Sequence, residues 1–407
     1  MSSSISNFNT SGIPTMTSRK IYRKTLLAIG LCMLCALGII QLILNAMGAN
    51  SQGVLGRVTE ARAALPAIVK EPKDLVMFFG SSMTRAGFSP RQFDRDAAAV
   101  GKSVTSYNYG FGGLNPYFQD FLSRRISEEF IASERKLKLT MIEFNPFQTT
   151  KTRWQRAQPV LDSFLTLLAS DHELLEIGQD DLTRAIRLFN IKYLRNNISA
   201  EMITSFFGRG MFPPQAHQTY KDDQQTIDER RRLGQLLSAK FDEEYPNHKN
   251  AAWSSPWQGG GTIPEERSAE TLAIFNDYYA VTQTDNAMKN DRLSRIRSAD
   301  IEELNFEPLL VEHFINIIKN FQTVSEHVEV MMLPKNSRWI HTTPAAEARL
   351  AKVVKQIELA TGLKMKNHQN IDEITSDMYR DTTHLSRYRG DVAYTNYLLK
   401  AYAPLLE

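Results

Sequence analysis

The 407-residue sequence predicts an α/β fold with a parallel sheet, preceded by one membrane-spanning helix. Residues 26–47 form an apolar run without charge. Strand-like and helix-like segments alternate over 75–146, and the alternation resumes over 306–405. This alternation is typical of parallel sheets whose strands are joined by crossover helices. Residues 150–305, between the two parts, are polar and mostly helical in pattern, so they predict a helical insertion.

The N-terminal segment predicts a membrane anchor. Residues 1–25 are interpreted as a cytoplasmic tail that ends in four basic residues, Arg19, Lys20, Arg23 and Lys24. The apolar run 26–47 is long enough for one transmembrane helix. Because positive charges flank its N-terminal end and the next one is Arg57, we expect the following chain outside the cytoplasm. A cleaved signal peptide, with Ala46-Met47-Gly48 as its cleavage site, is the alternative.

Composition limits the function classes. A net charge of +3, with no dense basic stripe, argues against a nucleic-acid partner. The two cysteines, Cys32 and Cys35, lie within the apolar segment and are interpreted as small apolar residues. The rest of the chain therefore forms no disulfide. This agrees with an extracytoplasmic domain that is large enough to bury its own core.

The domain boundaries follow from these segments. Residues 48–73 are interpreted as a connector with a short helix around 57–69, and the α/β domain is expected to comprise 74–149 and 306–407. Five segments have the apolar or β-branched character of strands: 75–79, 104–109, 139–144, 328–333 and 363–366. Four further segments of the domain are predicted helices: 116–136, 306–324, 344–361 and 389–405.

The insertion contains two predicted loops, at 208–215 and 254–262. Trp253 precedes the second loop, and Trp257 lies within it beside a run of glycines. Exposed tryptophans on such a loop suit a sugar or a lipid surface, whereas packed ones belong to a core. We interpret both as part of the insertion's own small core.

A tight turn at Gly80-Ser81-Ser82 follows the first predicted strand and leads into a helix. Open α/β sheets bind ligands at the carboxyl ends of their strands. The N-terminus of the following helix adds N–H groups and a positive dipole end, which suit a developing oxyanion. Ser82 is therefore a candidate nucleophile. The alternative is a serine that only caps the helix.

Other strand ends supply the remaining groups that acyl transfer needs. Asp381 precedes His384 by three residues, so its carboxylate can reach one ring nitrogen while the other takes a proton from Ser82. The N–H groups of Ser82 and Gly113 and the side-chain amide of Asn145 can bind an oxyanion. Together these residues predict serine acyl chemistry.

These residues occur in blocks that resemble the SGNH hydrolase superfamily, also called GDSL-like lipases and esterases. Gly80-Ser81-Ser82 is similar to the first block, and Asn108-Tyr109-Gly110-Phe111-Gly112-Gly113 to the second. Glu143-Phe144-Asn145-Pro146 occupies the third block, and Asp381-Thr382-Thr383-His384-Leu385-Ser386, followed by Gly390, is similar to the fifth. The resemblance covers about 72–148 and 306–405. It implies a three-layer α/β/α, flavodoxin-like sheet with the insertion added.

The resemblance assigns a role to each matched residue. It implies Ser82 as the nucleophile, His384 as the base, Asp381 as its partner, and Gly113 and Asn145 as oxyanion donors. The sequence departs from the family at two places. Ser81 stands where the family usually has aspartate and is expected to take no part, and the third block lacks the usual Gly-x-Asn-Asp.

The order of segments narrows the resemblance further. One anchor, an early serine block, a long helical insertion and a late Asp-x-x-His resemble DltD-like proteins and related anchored SGNH proteins. Those act outside the bacterial inner membrane beside a membrane-bound O-acyltransferase (MBOAT). The resemblance therefore implies a single-pass inner-membrane protein that O-acylates, for example O-acetylates, an extracytoplasmic polysaccharide, with an MBOAT partner. A carbohydrate esterase of the same fold is the alternative.

Other functions fit the sequence less well. The segment 110–113 lacks the Gly-x-Gly-x-x-Gly pattern of dinucleotide loops. The segment His172-Glu173-Leu174-Leu175-Glu176 lacks the second histidine of a zinc-binding helix. We therefore predict neither a metal nor a cofactor. A catalytically silent scaffold in a polysaccharide acylation or export complex is a further alternative, against which the intact Ser82, His384 and Asp381 argue.

Overall fold

The computed structural model describes residues 16–50, 54–179, 181–201, 224–246, 253, 257–290 and 297–407. The first 15 residues of the predicted tail, the loop predicted at 208–215 and residues 254–256 lie outside these ranges. The described chain is an α/β structure with a five-stranded, all-parallel sheet, many helices and an apolar N-terminal helix.

The N-terminal helix spans Met16–Asn50. Its stretch Lys20–Leu42 is long and apolar enough to cross a membrane, and no other helix in the described ranges has both properties. This stretch overlaps the predicted span 26–47 and begins closer to the N-terminus. None of it is buried inside the protein, as expected for a segment that contacts lipid, although a signal sequence has the same features.

The sheet is formed by β1 (Asp74–Ser81), β2 (Val104–Phe111), β3 (Leu137–Glu143), β4 (Ser325–Met332) and β5 (Met365–Asn367). All five predicted strands are present. The strand order is β2-β1-β3-β4-β5, and each neighbouring pair is parallel. The chain leaves β1 toward one side of the sheet and later returns to its other side at β3. Such a switch point, between the carboxyl ends of β1 and β3, is where doubly wound sheets bind ligands.

Two hydrophobic layers cover the sheet because successive strand side chains point to opposite faces. In β1, Met77 and Phe79 pack on one face, while Val76 and Phe78 pack on the other. Four helices cover the first face: Val54–Ile68, Pro116–Ala132, Pro308–Val324 and Pro344–Thr361. Three helices cover the second: Ser82–Gly87, Pro90–Ala99 and Gly390–Tyr402. The architecture is therefore three-layered.

One predicted helix ends earlier than expected. The helix predicted over 116–136 ends at Ala132, where Ser133 is the C-cap. Glu134 follows with a φ of 52°, in the left-handed region that terminates helices. The helix predicted over 344–361 has the observed bounds, because Pro344 begins it and Gly362 ends it in the left-handed conformation.

The described part of residues 150–305, the predicted insertion, is mostly helical. Its helices are Lys151–Ala157, Leu161–Leu168, Asp171–Gly178, Leu182–Leu194, Gln224–Glu244, Ala269–Thr282 and Asp285–Asn290. An antiparallel bridge between Thr150 and Phe306 joins its two ends. Two backbone hydrogen bonds, from Lys151 to Asn305 and from Glu307 to Thr149, flank the bridge. The first and last residues of the insertion thus lie next to each other, shortly after the end of β3.

Candidate active site

The candidate nucleophile lies at the carboxyl end of β1. Ser81 is the N-cap of the helix Ser82–Gly87, and its side chain accepts a hydrogen bond from the Met83 N–H. Ser82 is the first residue of that helix, and the first N–H groups of a helix have no intrahelical partner. The hydroxyl of Ser82 therefore lies at a helix N-terminus on the switch-point edge of the sheet.

Two glycines allow the turn to pack closely. A Cβ at Gly80 would lie 2.6 Å from the Glu143 Cβ, and one at Gly110 would lie 2.7 Å from the Arg85 Cα. Real Cβ atoms do not approach other atoms so closely, so a larger residue at either position must displace the turn. At Gly110 the displaced atoms belong to the backbone of Arg85, in the helix Ser82–Gly87.

A buried carboxylate lies beneath the turn. Glu143, the last residue of β3, is 3% exposed. Its Oε2 accepts hydrogen bonds from the Ser81 N–H at 2.7 Å, the Thr84 hydroxyl at 2.6 Å and the Thr84 N–H at 3.1 Å. Its Oε1 accepts from the Ser81 hydroxyl at 2.6 Å and the Asn145 amide at 2.9 Å. Five donors thus fix the residues on either side of Ser82 against β3.

Ser81, for which no part in catalysis is predicted, has a structural part in this network. Its backbone N–H and its hydroxyl both donate to Glu143, and the hydroxyl also accepts from Met83 and Asn145. The sequence alone does not reveal this role, because Glu143 lies 62 residues from Ser81 along the chain. A serine here needs an acceptor below it, and Glu143 supplies one.

Asn145 lies beside the turn, and both ends of its amide are engaged. Nδ2 donates to the Ser81 hydroxyl at 3.0 Å and to Glu143 at 2.9 Å. Oδ1 accepts from the N–H groups of Phe147 and Gln148 and so caps the short helix that follows. For Asn145 to donate to an oxyanion, it must exchange one of the Nδ2 hydrogen bonds for the new one.

His384 joins the turn to the C-terminal loop. Its Nε2 lies 2.8 Å from the Ser82 Oγ, although the two residues are 302 positions apart in the sequence. Its Nδ1 lies 2.9 Å from each carboxylate oxygen of Asp381. A carboxylate can only accept at Nδ1, so Nδ1 carries the proton and Nε2 is left to accept the hydroxyl proton. The structure thus brings Ser82, His384 and Asp381 into one hydrogen-bonded chain.

The loop that carries these two residues is held rigidly. Asp381 Oδ1 also accepts from the backbone N–H groups of Thr383, at 2.9 Å, and His384, at 2.7 Å. Tyr379 and Leu385 form an antiparallel bridge across the loop. This folding of the loop onto the Asp381 carboxylate follows the Asp-x-x-His spacing and sets the imidazole before any substrate arrives.

The Asp381 carboxyl is ionised. Burial disfavours its charge, but the charge and hydrogen bonds of His384 and the charge of Arg380 outweigh burial and hold its pKa below the usual range. The Arg380 Nε lies 3.4 Å from the Asp381 Oδ2. An ionised carboxylate at Nδ1 stabilises the imidazolium that forms when Nε2 takes a proton.

The second glycine-rich segment also reaches the serine. A Cβ on Gly112 would lie 3.6 Å from the Ser82 Cβ, so the backbone of this turn passes beside the nucleophile. Gly113 follows with a φ of 80°, in the left-handed region that glycine adopts at no steric cost. Its backbone is exposed at the site edge. The segment thus lies next to Ser82.

Arg57 ties the connector, the sheet and the insertion together, and sequence analysis missed it. Its guanidinium donates to the carbonyls of Asn108, Gly110 and Gly259 at 2.7–2.9 Å. It lies 4.8 Å from the ring of Trp253. Burial, followed by the charge of Arg85, lowers the pKa of Arg57 to about 9.

The prediction that Trp253 packs in a separate core of the insertion is wrong. Trp253 packs against the α/β domain. Its ring lies 4.9 Å from that of Tyr109 in β2, and it is 6% exposed. Trp257 does pack within the insertion, against Tyr245 and Phe241. Trp253 thus covers the apolar end of β2, where its ring also stacks on Phe111.

Within the described ranges, no group of three or more His, Cys, Asp or Glu side chains is arranged to hold a metal ion. Comparison of the sequence with models of known protein families and with curated proteins gives no match. Functional interpretation of the site therefore rests on its geometry.

Proposed function

We propose that this protein is a membrane-anchored serine acyltransferase of the SGNH type that modifies an extracytoplasmic polysaccharide. The observation that carries the proposal is the chain Ser82 Oγ–His384 Nε2–Asp381, with contacts of 2.8 and 2.9 Å. A serine, an imidazole and an ionised carboxylate in this order are what acyl transfer through a covalent intermediate requires. The alternative of a serine that only caps its helix is less consistent, because Ser81 is the residue that caps it.

The first half of the reaction forms an acyl-enzyme. Ser82 Oγ attacks the carbonyl carbon of an acyl donor while its proton moves to His384 Nε2. The oxyanion that results lies at the N-terminus of the helix Ser82–Gly87 and beside the turn at Gly112-Gly113. The intermediate collapses as the donor's leaving group takes the proton from His384, and the acyl group stays on Ser82.

The second half transfers the acyl group. His384 Nε2 takes the proton of a sugar hydroxyl, whose oxygen attacks the acyl carbonyl. The bond to Ser82 Oγ breaks and the serine recovers a proton from His384. With water in place of the sugar hydroxyl, the same residues make the protein a carbohydrate esterase, which is the second candidate function.

The N-terminal helix supports the proposed location in the cell. An apolar stretch at Lys20–Leu42 with basic residues before it suits a single-pass anchor whose C-terminal domain faces the periplasm. An anchored enzyme at this place can receive acyl groups from a membrane-bound O-acyltransferase partner and pass them to a polymer outside the inner membrane.

Hydrolysis of p-nitrophenyl acetate by the full chain in detergent tests the proposal. We expect Ser82→Ala and His384→Ala to abolish turnover, whereas Ser103→Ala, at an exposed serine before β2, retains it. Full turnover by Ser82→Ala overturns the nucleophile assignment. If both site variants lose turnover yet restore a deletion strain, the protein acts as a scaffold. Product analysis with an oligosaccharide acceptor separates transfer from hydrolysis.

A further inference from the structure

A large cavity lies beside the candidate active site, between the insertion and the C-terminal loop. Its volume is about 660 Å³, within the usual range for small-molecule sites. The helices Gln224–Glu244 and Ala269–Thr282 form one wall, and four residues of the C-terminal loop, Arg380, Asp381, Arg387 and Tyr388, form another. Asp381 itself lines the cavity and lies 2.9 Å from His384 Nδ1, so the cavity reaches the edge of the candidate site.

The lining of this cavity is strongly positive. It contains four arginines, Arg230, Arg267, Arg380 and Arg387. The one carboxylate in the lining is Asp381, whose oxygens accept from His384. Arg267 forms an ion pair with Glu244 at 3.0 Å and stacks on Phe241, so it supports the wall.

Arg387 is a cation without a matching carboxylate. Within the described part of the chain, no acidic side chain forms an ion pair with it. The buried Asp391 attracts it electrostatically without forming an ion pair with it. The Arg387 guanidinium lies directly against Gly261, where any Cβ would displace it. Gly261 thus leaves room for the cation at the cavity wall.

One more arginine adds to the positive field. Arg85 follows Ser82 by three residues in the nucleophile helix. Desolvation, followed by the charges of Arg387 and Arg380, lowers the pKa of Arg85. Like charges gathered in one region disfavour the folded state, and such arrangements concentrate at binding sites.

Aromatic rings complete the lining. Phe275, Tyr278, Tyr279 and Tyr388 contribute to the cavity. Tyr388 has a φ of 65°, a conformation that a bulky residue adopts only when its surroundings impose it. Its hydroxyl is 2.5 Å from the Thr262 hydroxyl of the insertion loop, and its ring meets Phe275 edge to face. Insertion and loop together hold this ring in place.

We propose that the cavity binds an acidic sugar of the acceptor polysaccharide, with Arg387 and Arg380 as the carboxylate-binding residues and the tyrosines as surfaces for the sugar ring. The inference rests on the proposed function, since it names the substrate class of that site. Guanidinium groups match carboxylates with paired hydrogen bonds, and aromatic faces pack on apolar ring surfaces. An anionic membrane surface is less consistent, because these arginines line a concave cavity next to Asp381.

Binding of trigalacturonate and of its methyl-esterified form to the full chain in detergent, measured by calorimetry, tests the inference. The Ser82→Ala background prevents turnover of the ester probe. We expect the acidic probe to bind at least tenfold more tightly, because a hydrogen bond to a charged group is lost with the carboxylate. Arg387→Gln is expected to weaken binding of the acidic probe about tenfold and to leave binding of the ester unchanged.

Arg231→Gln is the matched control. Arg231 lies on Gln224–Glu244, a helix that lines the cavity, but its side chain is 67% exposed to solvent. We expect it to bind both probes like the parent. If Arg387→Gln does not fold, Arg380→Gln at the exposed end of the loop replaces it. Equal binding of the two probes, absence of binding by the acidic one, or competition by phosphatidylglycerol vesicles overturns the inference.

The proposed function is measured separately, as p-nitrophenyl acetate hydrolysis by the parent protein. If the protein binds the acidic probe selectively but Ser82-dependent hydrolysis is absent, the acidic-sugar site stands and the protein acts as a scaffold. Hydrolysis without charge-selective binding leaves the enzyme but removes the acidic acceptor.

Discussion

Substitution of Glu143 tests whether the network beneath the nucleophile turn is as tightly matched as its geometry indicates. Every one of the five hydrogen bonds at this carboxylate is donated to it. Glu143→Gln replaces one acceptor oxygen by an amide donor of nearly the same size. If that donor occupies the Oε2 position, it faces the N–H groups of Ser81 and Thr84. The Oε1 position is less unfavourable, because there it conflicts with the Asn145 amide.

The cost follows from that conflict. Glu143→Gln loses a hydrogen bond between a charged acceptor and Asn145, which is worth about 1.5–3 kcal/mol, and leaves a buried donor unpaired. We therefore expect the free energy of unfolding to fall by about 2–4 kcal/mol. Because Ser81 precedes the nucleophile, ester hydrolysis is expected to fall as well. Urea unfolding of the full chain in detergent, followed by tryptophan fluorescence, measures the first effect.

A compensating change provides the control. Asn145→Asp, added to Glu143→Gln, gives the new amide an acceptor, and the second oxygen of the introduced carboxylate can still receive the Phe147 and Gln148 N–H groups. We expect the double variant to recover at least about 1 kcal/mol relative to the sum of the single changes. The matched network would be refuted if the double variant lost as much stability as the two single variants together. It would also be refuted if Glu143→Gln were as stable as the parent.

Three further predictions concern the surroundings of the site. Gly110→Ala should destabilise the protein by about 2–4 kcal/mol and reduce ester hydrolysis, because its Cβ meets the Arg85 backbone. Gly234 has open space around it in a helix, so Gly234→Ala should be neutral or stabilising by up to about 1 kcal/mol. Parallel urea titrations distinguish the two variants, and equal effects contradict the packing argument. Burial raises the pKa of Asp94 from 3.8 to about 7. The stabilisation of the folded state by the protonated carboxyl is therefore complete below pH 3.8 and lost as the pH rises to about 7. Asp94→Asn should flatten the dependence of the unfolding free energy on pH in that window, and an unchanged dependence counts against the prediction. Arg57→Ala should increase proteolysis of the loop at Gly259, because the guanidinium holds its carbonyl, and an unchanged cleavage rate relative to the parent contradicts that role.

Much of the fold could be predicted from the sequence because its signals are local. Alternating strands and helices, the Pro344 start and the Gly362 end of one helix, and the apolar N-terminal run each depend on neighbouring residues. The roles of Ser82, His384 and Asp381 remain predictions, although the structure places the three side chains in contact. Their contact was inferable because strand ends meet at one edge of a parallel sheet.

The missed features depend on long-range packing. Glu143 is an isolated acidic residue at the end of an apolar strand, and only the approach of β1 reveals its five donors. Arg57 and Trp253 meet although they are far apart in the sequence, and no periodicity encodes such a pair. A charged residue that ends an apolar strand before Asn-Pro is a signal that could have directed attention to Glu143.

The most direct test of serine acyl transfer is the intact mass of the full chain after brief exposure to p-nitrophenyl acetate followed by an acid quench, with subsequent peptide mapping. Acyl transfer through Ser82 predicts one added acetyl group, located on that residue, and none in Ser82→Ala or His384→Ala. Acetylation is expected to disappear when an acceptor oligosaccharide is added. An unmodified protein that still turns over the ester, or an acetyl group that persists in Ser82→Ala, would contradict Ser82 as the nucleophile.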